Sequence, residues 1–462
     1  MIPIVTPEEM GAIDRDAPEP EEVLIDRAGG ALARAILRRL GGGYGRRVLV
    51  LAGKGNNGAD GRVAATKLAR HGVRSLVVEA ADPIPPGALE RADLVVDAIF
   101  GTGFRDRGGW APPDVGGTPV LAVDIPSGVN GLTGETVDGV PAAGATVTFA
   151  ALKPGLLLLP GRSRVGELEL VDIGLDTSRA RAHLVTAADV AEWLPGRPVD
   201  MHKWKRATWI VAGSPGMTGA AHLATASAMR AGASYVRLST PGVESDPMAP
   251  TEAVSVSLPA HGWASDVLAS AERFGSIAVG PGLGRSRVTT TEVRRLVAEA
   301  PVPIVVDGDG LHALGDDADR CIRRRAAATI LTPHDGEAAV LAGRRMGADR
   351  FAEARELATR TGAVVLLKGP TTVIADPDGD ALAVTSGDAR LATAGTGDVL
   401  TGAIAAFAAM GVDPLRAAAA GAHVHGAAAA RTPAEGMVAS DLPGQLPAVL
   451  TALRAGPGGD GA

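Results

Sequence analysis

The segment Leu391-Ala392-Thr393-Ala394-Gly395-Thr396-Gly397-Asp398-Val399-Leu400-Thr401-Gly402 runs directly into the apolar stretch Ala403 to Met410. Its glycines allow backbone amides to turn toward one point, and the apolar stretch reads as a helix beginning there. Free N–H groups at a helix start, with the positive end of the helix dipole behind them, form an anion hole. Asp398 stands at its lip. A carboxylate there holds phosphate poorly but is placed to take a proton from a hydroxyl that attacks phosphorus. A glycine-rich turn with Asp398 as an ordinary cap is the plainer alternative.

A second set of polar residues lies in the first half. Gly53-Lys54-Gly55-Asn56-Asn57-Gly58-Ala59-Asp60-Gly61 joins a strand to a helix without the spacing of the dinucleotide fingerprint, and its paired asparagines supply amide donors and carbonyl acceptors. Asp97 ends Leu94-Val95-Val96 and precedes Ala98-Ile99-Phe100-Gly101-Thr102-Gly103. Asp124 ends Val120-Leu121-Ala122-Val123 and precedes Ile125-Pro126-Ser127-Gly128. Polar clusters at the carboxyl ends of three strands converge on one crevice of a doubly wound sheet.

The elements that must position these residues alternate throughout. Strands are expected at Arg47 to Ala52, Ser75 to Val78, Leu94 to Ile99, Val120 to Ile125, Ala145 to Ala150 and Leu168 to Ile173. Helices are expected at Glu21 to Leu40 and Arg62 to Arg70. This pattern means a mostly parallel sheet covered by helices. Periodicity weakens between Leu175 and Arg206, and the breaker cluster Pro195-Gly196-Arg197-Pro198 places a linker there. The chain is therefore read as two α/β domains, 1–190 and 191–455. In the second, strands are expected at Thr208 to Ala212, Tyr235 to Leu238, Ile277 to Val279, Ile304 to Val306, Thr329 to Leu331 and Val364 to Leu367, and all but Tyr235 to Leu238 lead into the loops Gly213 to Ala221, Gly280 to Gly284, Asp307 to Gly310, Thr332 to Glu337 and Lys368 to Thr372. Asp307 to Gly310, taken alone, reads as a plain turn.

At 462 residues the chain exceeds one ordinary core. With 46% hydrophobic and only 3% aromatic residues, small aliphatic side chains must build the interior. A net charge of -7 without a long basic run argues against nucleic acid as a partner. The single cysteine, Cys321, excludes an internal disulfide and reads as a small buried hydrophobe rather than a nucleophile. No signal peptide and no apolar run of membrane-spanning length is visible, so a soluble cytoplasmic protein, not membrane-bound, is expected.

The first-half motifs resemble the N-terminal epimerase domain of the NAD(P)H-hydrate repair enzymes over most of residues 1–175, which implies a Rossmann-like fold. The resemblance implies interconversion of NADH or NADPH epimers hydrated at nicotinamide C6. Asn56, Asn57, Gly58, Ala59, Asp60, the run Gly101, Thr102, Gly103, Phe104, Arg105, Asp106 and Arg107, and Asp124 would contact the hydrated nucleotide. Asp124 would be the acid/base, and Asn57, Asp97 and Ser127 would hold K⁺. Ala59 stands where the family usually has glycine, a strain of about 1 kcal/mol if that residue needs positive φ. Leu24 to Gly29 is a loose version of the family's leading-helix motif.

The second-half loops resemble the dehydratase domain of the same enzymes over roughly Asp200 to Leu450, and the Gly395 to Asp398 motif resembles the ribokinase-like signature, in which this aspartate is the catalytic base. The resemblance implies removal of water from the S hydrate at the expense of ADP, with ATP as the alternative donor, Mg²⁺ as the accompanying ion, and release of AMP and phosphate. Ala220, Gly282, His334 and Asp398 would meet the hydrated dinucleotide. Lys368, Gly369, Pro370, Thr371 and Thr372 would meet the AMP portion, with Gly395, Thr396 and Gly397 around the phosphoryl group. His334 could instead simply cap the following helix. The lead-in His202 to Ala207 departs from the family by carrying the bulky Trp204, and Ser386 to Arg390 also differs; both are expected at the cleft entrance. The partners are small-molecule substrates, and a homo-oligomer is expected. Two rival readings remain: a vitamin or sugar kinase with a dinucleotide-sensing N-terminal domain, and a non-catalytic binding protein.

Overall fold

A computed structural model describes residues 1–106 and 108–456. It divides into two compact units, Ile2–Ala182 and a second beginning at His183. The dividing point precedes both the 190/191 boundary and the Pro195–Pro198 cluster. The reason is visible in the packing. Val185 N–H donates to Ala383 O at 3.0 Å, and Val190 and Leu194 lie in the second core.

In the first unit the described strands form one parallel sheet in the order Arg74–Glu79, Arg47–Ala52, Leu94–Ala98, Val120–Val123, Ala145–Phe149, Glu167–Val171. Chain order reverses beside Arg47–Ala52, and the two strands flanking it open a crevice at their carboxyl ends. Helices Glu21–Leu40 and Asn56–Ala69 cover one face with Leu32, Ile36, Ala64 and Leu68 fully buried. The glycine loop expected through Gly61 is shorter than the sequence suggested. The helix already begins at Asn56, with Gly55 as its cap.

The second unit repeats this logic on a wider sheet. Parallel strands run in the order Val254–Ser255, Tyr235–Ser239, Ala207–Val211, Ser276–Val279, Ile304–Val306, Thr329–Leu331, Val364–Leu367, followed by the antiparallel pair Thr372–Ala375 and Ala381–Val384. Again the order reverses beside the first strand, Ala207–Val211. Helix Thr396–Ala409 is almost wholly buried and crosses helix Gly219–Arg230 closely. A Cβ at Gly402 would collide with the carbonyl oxygen of Ala224, so only glycine allows that approach. No described helix is long and apolar enough to cross a membrane.

Trp204 does not lie at the cleft entrance, where the sequence led it to be expected. Trp204 immediately precedes strand Ala207–Val211 and therefore sits at the amino end of the sheet, opposite the loops at its carboxyl end. Its ring lies tilted over Tyr235, centroids 4.5 Å apart, and edge-on to Phe274 at 5.8 Å. It closes the bottom of the domain. Cys321 is half-buried, and burial pushes its thiol up, which makes it a poor nucleophile.

Candidate active sites

In the first unit a cleft of ≈ 960 Å³ opens at the switch point, lined among others by Asn56, Asp60, Gly101, Thr102, Gly103, Phe104 and Asp124. Asp124 has φ 66°, in the left-handed region. That conformation costs about 1–2 kcal/mol for a residue with a Cβ, though aspartate tolerates it better than most. Three contacts hold it. Lys153 Nζ donates to Asp124 Oδ1 at 2.5 Å, Thr148 Oγ1 donates to the same oxygen at 3.0 Å, and Thr102 N–H reaches Oδ2 at 3.2 Å. Lys153 is itself only 1% exposed, and also donates to Thr148 Oγ1 and Phe149 O. A buried ammonium survives because carboxylate, hydroxyl and carbonyl surround it.

Asp60 faces the same cleft from the first turns of helix Asn56–Ala69. Burial, followed by the charges of Asp124 and Asp14, pushes its carboxyl up to about 8, so it holds its proton at neutral pH. Asp14, also lining the cleft, is raised chiefly by burial.

Asn57 lies behind this surface. Its amide nitrogen donates to Phe100 O at 2.9 Å and Val123 O at 3.1 Å. Asp97 accepts Ser127 Oγ at 2.6 Å and Ser127 N–H at 2.8 Å, and Phe100 N–H donates to Ser127 Oγ. Asn57, Asp97 and Ser127 thus gather around Phe100. Asp97 is buried, its carboxyl is raised by that burial, and it forms no ion pair among the described residues.

Ala59 sits in a helical turn, and among the described residues positive φ outside glycine occurs at Asp124 and Ala150, so the expected strain at Ala59 is absent. Gly58 packs beside it in the same turn, against the Gly53 backbone. Arg105 turns back on its own loop, donating to Phe104 O, and Asp106 accepts Gly108 N–H. Arg107 lies outside the described residues. Phe104 packs with Phe100 and Trp110 in an aromatic wall, centroids 5.1–5.6 Å apart.

The second unit builds its centre on charge. Gly395 (φ 90°) caps helix Thr396–Ala409, and a residue with a Cβ there would be strained and would collide with Leu223. Thr396 Oγ1 donates to Leu391 O and Thr393 O, fixing the turn. Lys368 Nζ lies about one atom's contact from the point a Gly397 side chain would occupy, at 3.5 Å, with Asp307 Oδ2 at 3.7 Å. Lys368 donates to Asp307 Oδ1 at 2.9 Å and stands 3.6 Å from Glu337 Oε2, while Thr401 Oγ1 donates to Asp307 Oδ2. Asp307, read from sequence as part of a plain turn, is therefore at the centre of the site.

Asp398 faces this group. Burial first, then Asp307, push its carboxyl up to about 7, with Lys368 opposing. Buried His425, adjacent to Thr396, is lowered to about 4 and stays neutral. Lys368 places a positive charge at the helix start.

The other expected residues fall around this centre. A Cβ at Gly282 would lie 3.2 Å from that of Ala220, so these two are neighbours. His334 caps helix Asp335–Ala342, its Nδ1 accepting Gly336 and Glu337 N–H, and its side chain is largely exposed. Arg350 holds the Lys368 carbonyl at 2.8 Å, Thr372 Oγ1 donates to Gly369 O, and Pro370 and buried Thr371 complete that loop. Lys153 and Asp307 are what sequence reasoning missed. Their signal was a lone lysine four residues past the strand Ala145–Phe149, and an aspartate directly following Ile304–Val306.

Comparison with known proteins matches residues 208–451 to the family described as NAD(P)H-hydrate dehydratase, and residues 21–86 and 78–155 to the YjeF-related protein N-terminus. The chain is 39% identical to the bifunctional NAD(P)H-hydrate repair enzyme of Moorella thermoacetica, covering 97% of both chains. It is 34% identical to that of Escherichia coli, covering 86% of this chain and 84% of the other. A ribokinase-like superfamily protein from Enterococcus faecalis shares the fold of the second unit, with TM-score 0.52 and 21% identity over 59% of this chain and 96% of its own. At these identities, sustained across both units, the chain belongs to the bifunctional NAD(P)H-hydrate repair enzymes, an epimerase domain followed by a dehydratase domain.

Proposed function

We propose that the second unit dehydrates the S hydrate with ADP, and that Asp398 is its base. The observation that carries this reading is the meeting of Asp398, Lys368, Asp307 and the Gly395–Gly397 amides at one helix start. Asp398 takes the proton of the C6 hydroxyl, whose oxygen then attacks the β-phosphorus of ADP as AMP leaves. Lys368 and the amides balance charge on the transferred phosphoryl group. The C6–O bond then breaks, phosphate departs, the ring nitrogen supplies the electron pair, and loss of a C5 proton restores NAD(P)H. Ala220, Gly282 and His334 are read as meeting the dinucleotide, and Lys368 to Thr372 the AMP portion.

Mg²⁺ would supply charge neutralisation on the phosphates. The described residues contain no cluster of three metal-binding side chains. That donor set fits an ion carried largely by phosphate oxygens and water, with Glu337 the carboxylate beside Lys368 able to join.

In the first unit the proposed task is epimerisation at C6: the protonated C6 hydroxyl leaves as water while the ring nitrogen's electron pair sustains C6, and water adding to the opposite face then gives up its proton. Protonated Asp60 and the Asp124–Lys153 pair face one cleft and can give the first proton and take the second. Asn56, Asp60 and Gly101 to Phe104 would orient the nucleotide. A buried carboxylate with no cationic partner fits a K⁺ ion at Asn57, Asp97 and Ser127: Ser127 Oγ lies 2.6 Å from Asp97 Oδ1, and the Phe100 carbonyl oxygen is shared by Ser127 Oγ and the Asn57 amide nitrogen. We read the enzyme as cytoplasmic, acting on small molecules.

The test is Asp398→Asn. Dehydration should fall by about 10²–10⁴ with ADP affinity nearly unchanged. Full turnover in that variant would end the reading.

A further inference from the structure

A second pocket, ≈ 290 Å³, lies at the opposite end of the second unit from Asp398. Arg206, which precedes strand Ala207–Val211, marks the amino end of the sheet. Helix Thr396–Ala409 begins at the anion hole, and Met410 just past its end lines this pocket. Fourteen residues at 1.5 Å each separate the two by about 20 Å.

Four guanidinium groups line the pocket: Arg197, Arg206, Arg230 and Arg454. None forms an ion pair among the described residues, and no acidic side chain lines it. Arg206 is only 6% exposed. It donates to Pro195 O at 3.0 Å and Gly196 O at 2.5 Å, and Arg454 reaches Pro195 O at 3.5 Å. Its guanidinium is lowered by burial first, and then by the like charges of Arg454 and Arg197. Leu194, Phe407, Met410 and Leu450 supply an apolar wall.

We propose that this pocket binds a small phosphate-bearing anion, at a site separate from either catalytic cleft. Like charges drawn together without a carboxylate among them are unfavourable until an anion sits between them. Guanidinium groups present paired N–H donors that match phosphate oxygens. The volume suits a pyrophosphate or a sugar phosphate with its apolar edge against Phe407 and Leu450, and is small for a whole dinucleotide. The competing account is that the arginines only cap carbonyls, since Arg230 ends helix Gly219–Arg230 and can complement its dipole.

The two accounts differ in what removal of the exposed arginines does. The probe is pyrophosphate, titrated calorimetrically into the full chain and into Arg230→Ser/Arg454→Ser at equal ionic strength. Both variant positions are exposed, so the fold is retained. The double variant should bind pyrophosphate at least about tenfold more weakly at one site. Without ligand it should melt no lower than the parent, because repulsion is relieved. The difference between the isotherms isolates this pocket, whatever the catalytic clefts bind. Superimposable isotherms overturn the proposal, as does a parent that binds no pyrophosphate. A variant that melts lower and binds equally well leaves the arginines as carbonyl caps.

Discussion

The two sites stand at the carboxyl ends of parallel strands in two sheets, yet they treat charge differently. In the first unit a buried lysine is locked onto the aspartate it accompanies: Lys153 lies 2.5 Å from Asp124 and points its other hydrogens at Thr148 and Phe149. In the second unit Lys368 leans on Asp307 but remains beside Gly397, in the first turn of helix Thr396–Ala409. The first arrangement can shift a proton but offers an incoming phosphate little. The second can do both. One chain thus carries two answers to the same hydrated ring, one that inverts it and one that removes its water.

The largest effect that would break this comparison belongs to Lys153. Lys153→Met should reduce epimerisation by at least about 10²-fold, since it leaves the half-buried Asp124 without the cation that balances and positions it. Epimer ratios followed over time would reveal it, and an unchanged rate would remove Lys153 from the chemistry.

The next effect is opposite in sign between the units. Asp398, raised to about 7, must be deprotonated to act as a base, so kcat/KM for dehydration should fall about tenfold per pH unit below that value. Asp60, raised to about 8, donates only when protonated, so epimerisation should decline above that pH. Parallel pH profiles would show that the two proton roles have been misassigned.

A smaller effect sharpens the account of the first unit. At constant ionic strength, replacing K⁺ by Na⁺ should slow epimerisation severalfold and leave dehydration unaffected, because Asn57, Asp97 and Ser127 all lie in the first unit. Equal rates in the two salts would leave Asp97 as the residue that anchors Ser127. The smallest effect is expected from Ala59→Gly. With Ala59 at an ordinary helical φ, glycine relieves no strain there, and thermal stability should drop by about 1 kcal/mol or less.

Most strands and the helix Glu21–Leu40 were legible because buried parallel strands read as short apolar runs and the helix as a 3.6-residue stripe. The motif aspartates were legible because they end those runs. Lys153 was not, because its partner Asp124 lies 29 residues earlier and the two meet only once their strands are neighbours. Asp307 was missed for a similar reason. Its link to Lys368 crosses from Ile304–Val306 over Thr329–Leu331 to Val364–Leu367, an order no local pattern reveals. Trp204 was misplaced because a glycine-poor lead-in looks the same whether it opens a cleft or closes the far end of a sheet. Nor could the sequence announce that the strained residues are Asp124 and Ala150 rather than Ala59, since φ is set by contacts formed only in the fold.

The central claim is that two independent sites with different proton chemistry share this chain. The most direct test assays Asp398→Asn and Lys153→Met side by side on the R hydrate with ADP present, following both the epimer ratio and the absorbance of the reduced nicotinamide. Asp398→Asn should equilibrate the epimers at the parent rate and recover no NAD(P)H, while Lys153→Met should dehydrate added S hydrate at the parent rate and fail to speed epimerisation. Loss of both activities in either variant would contradict the account.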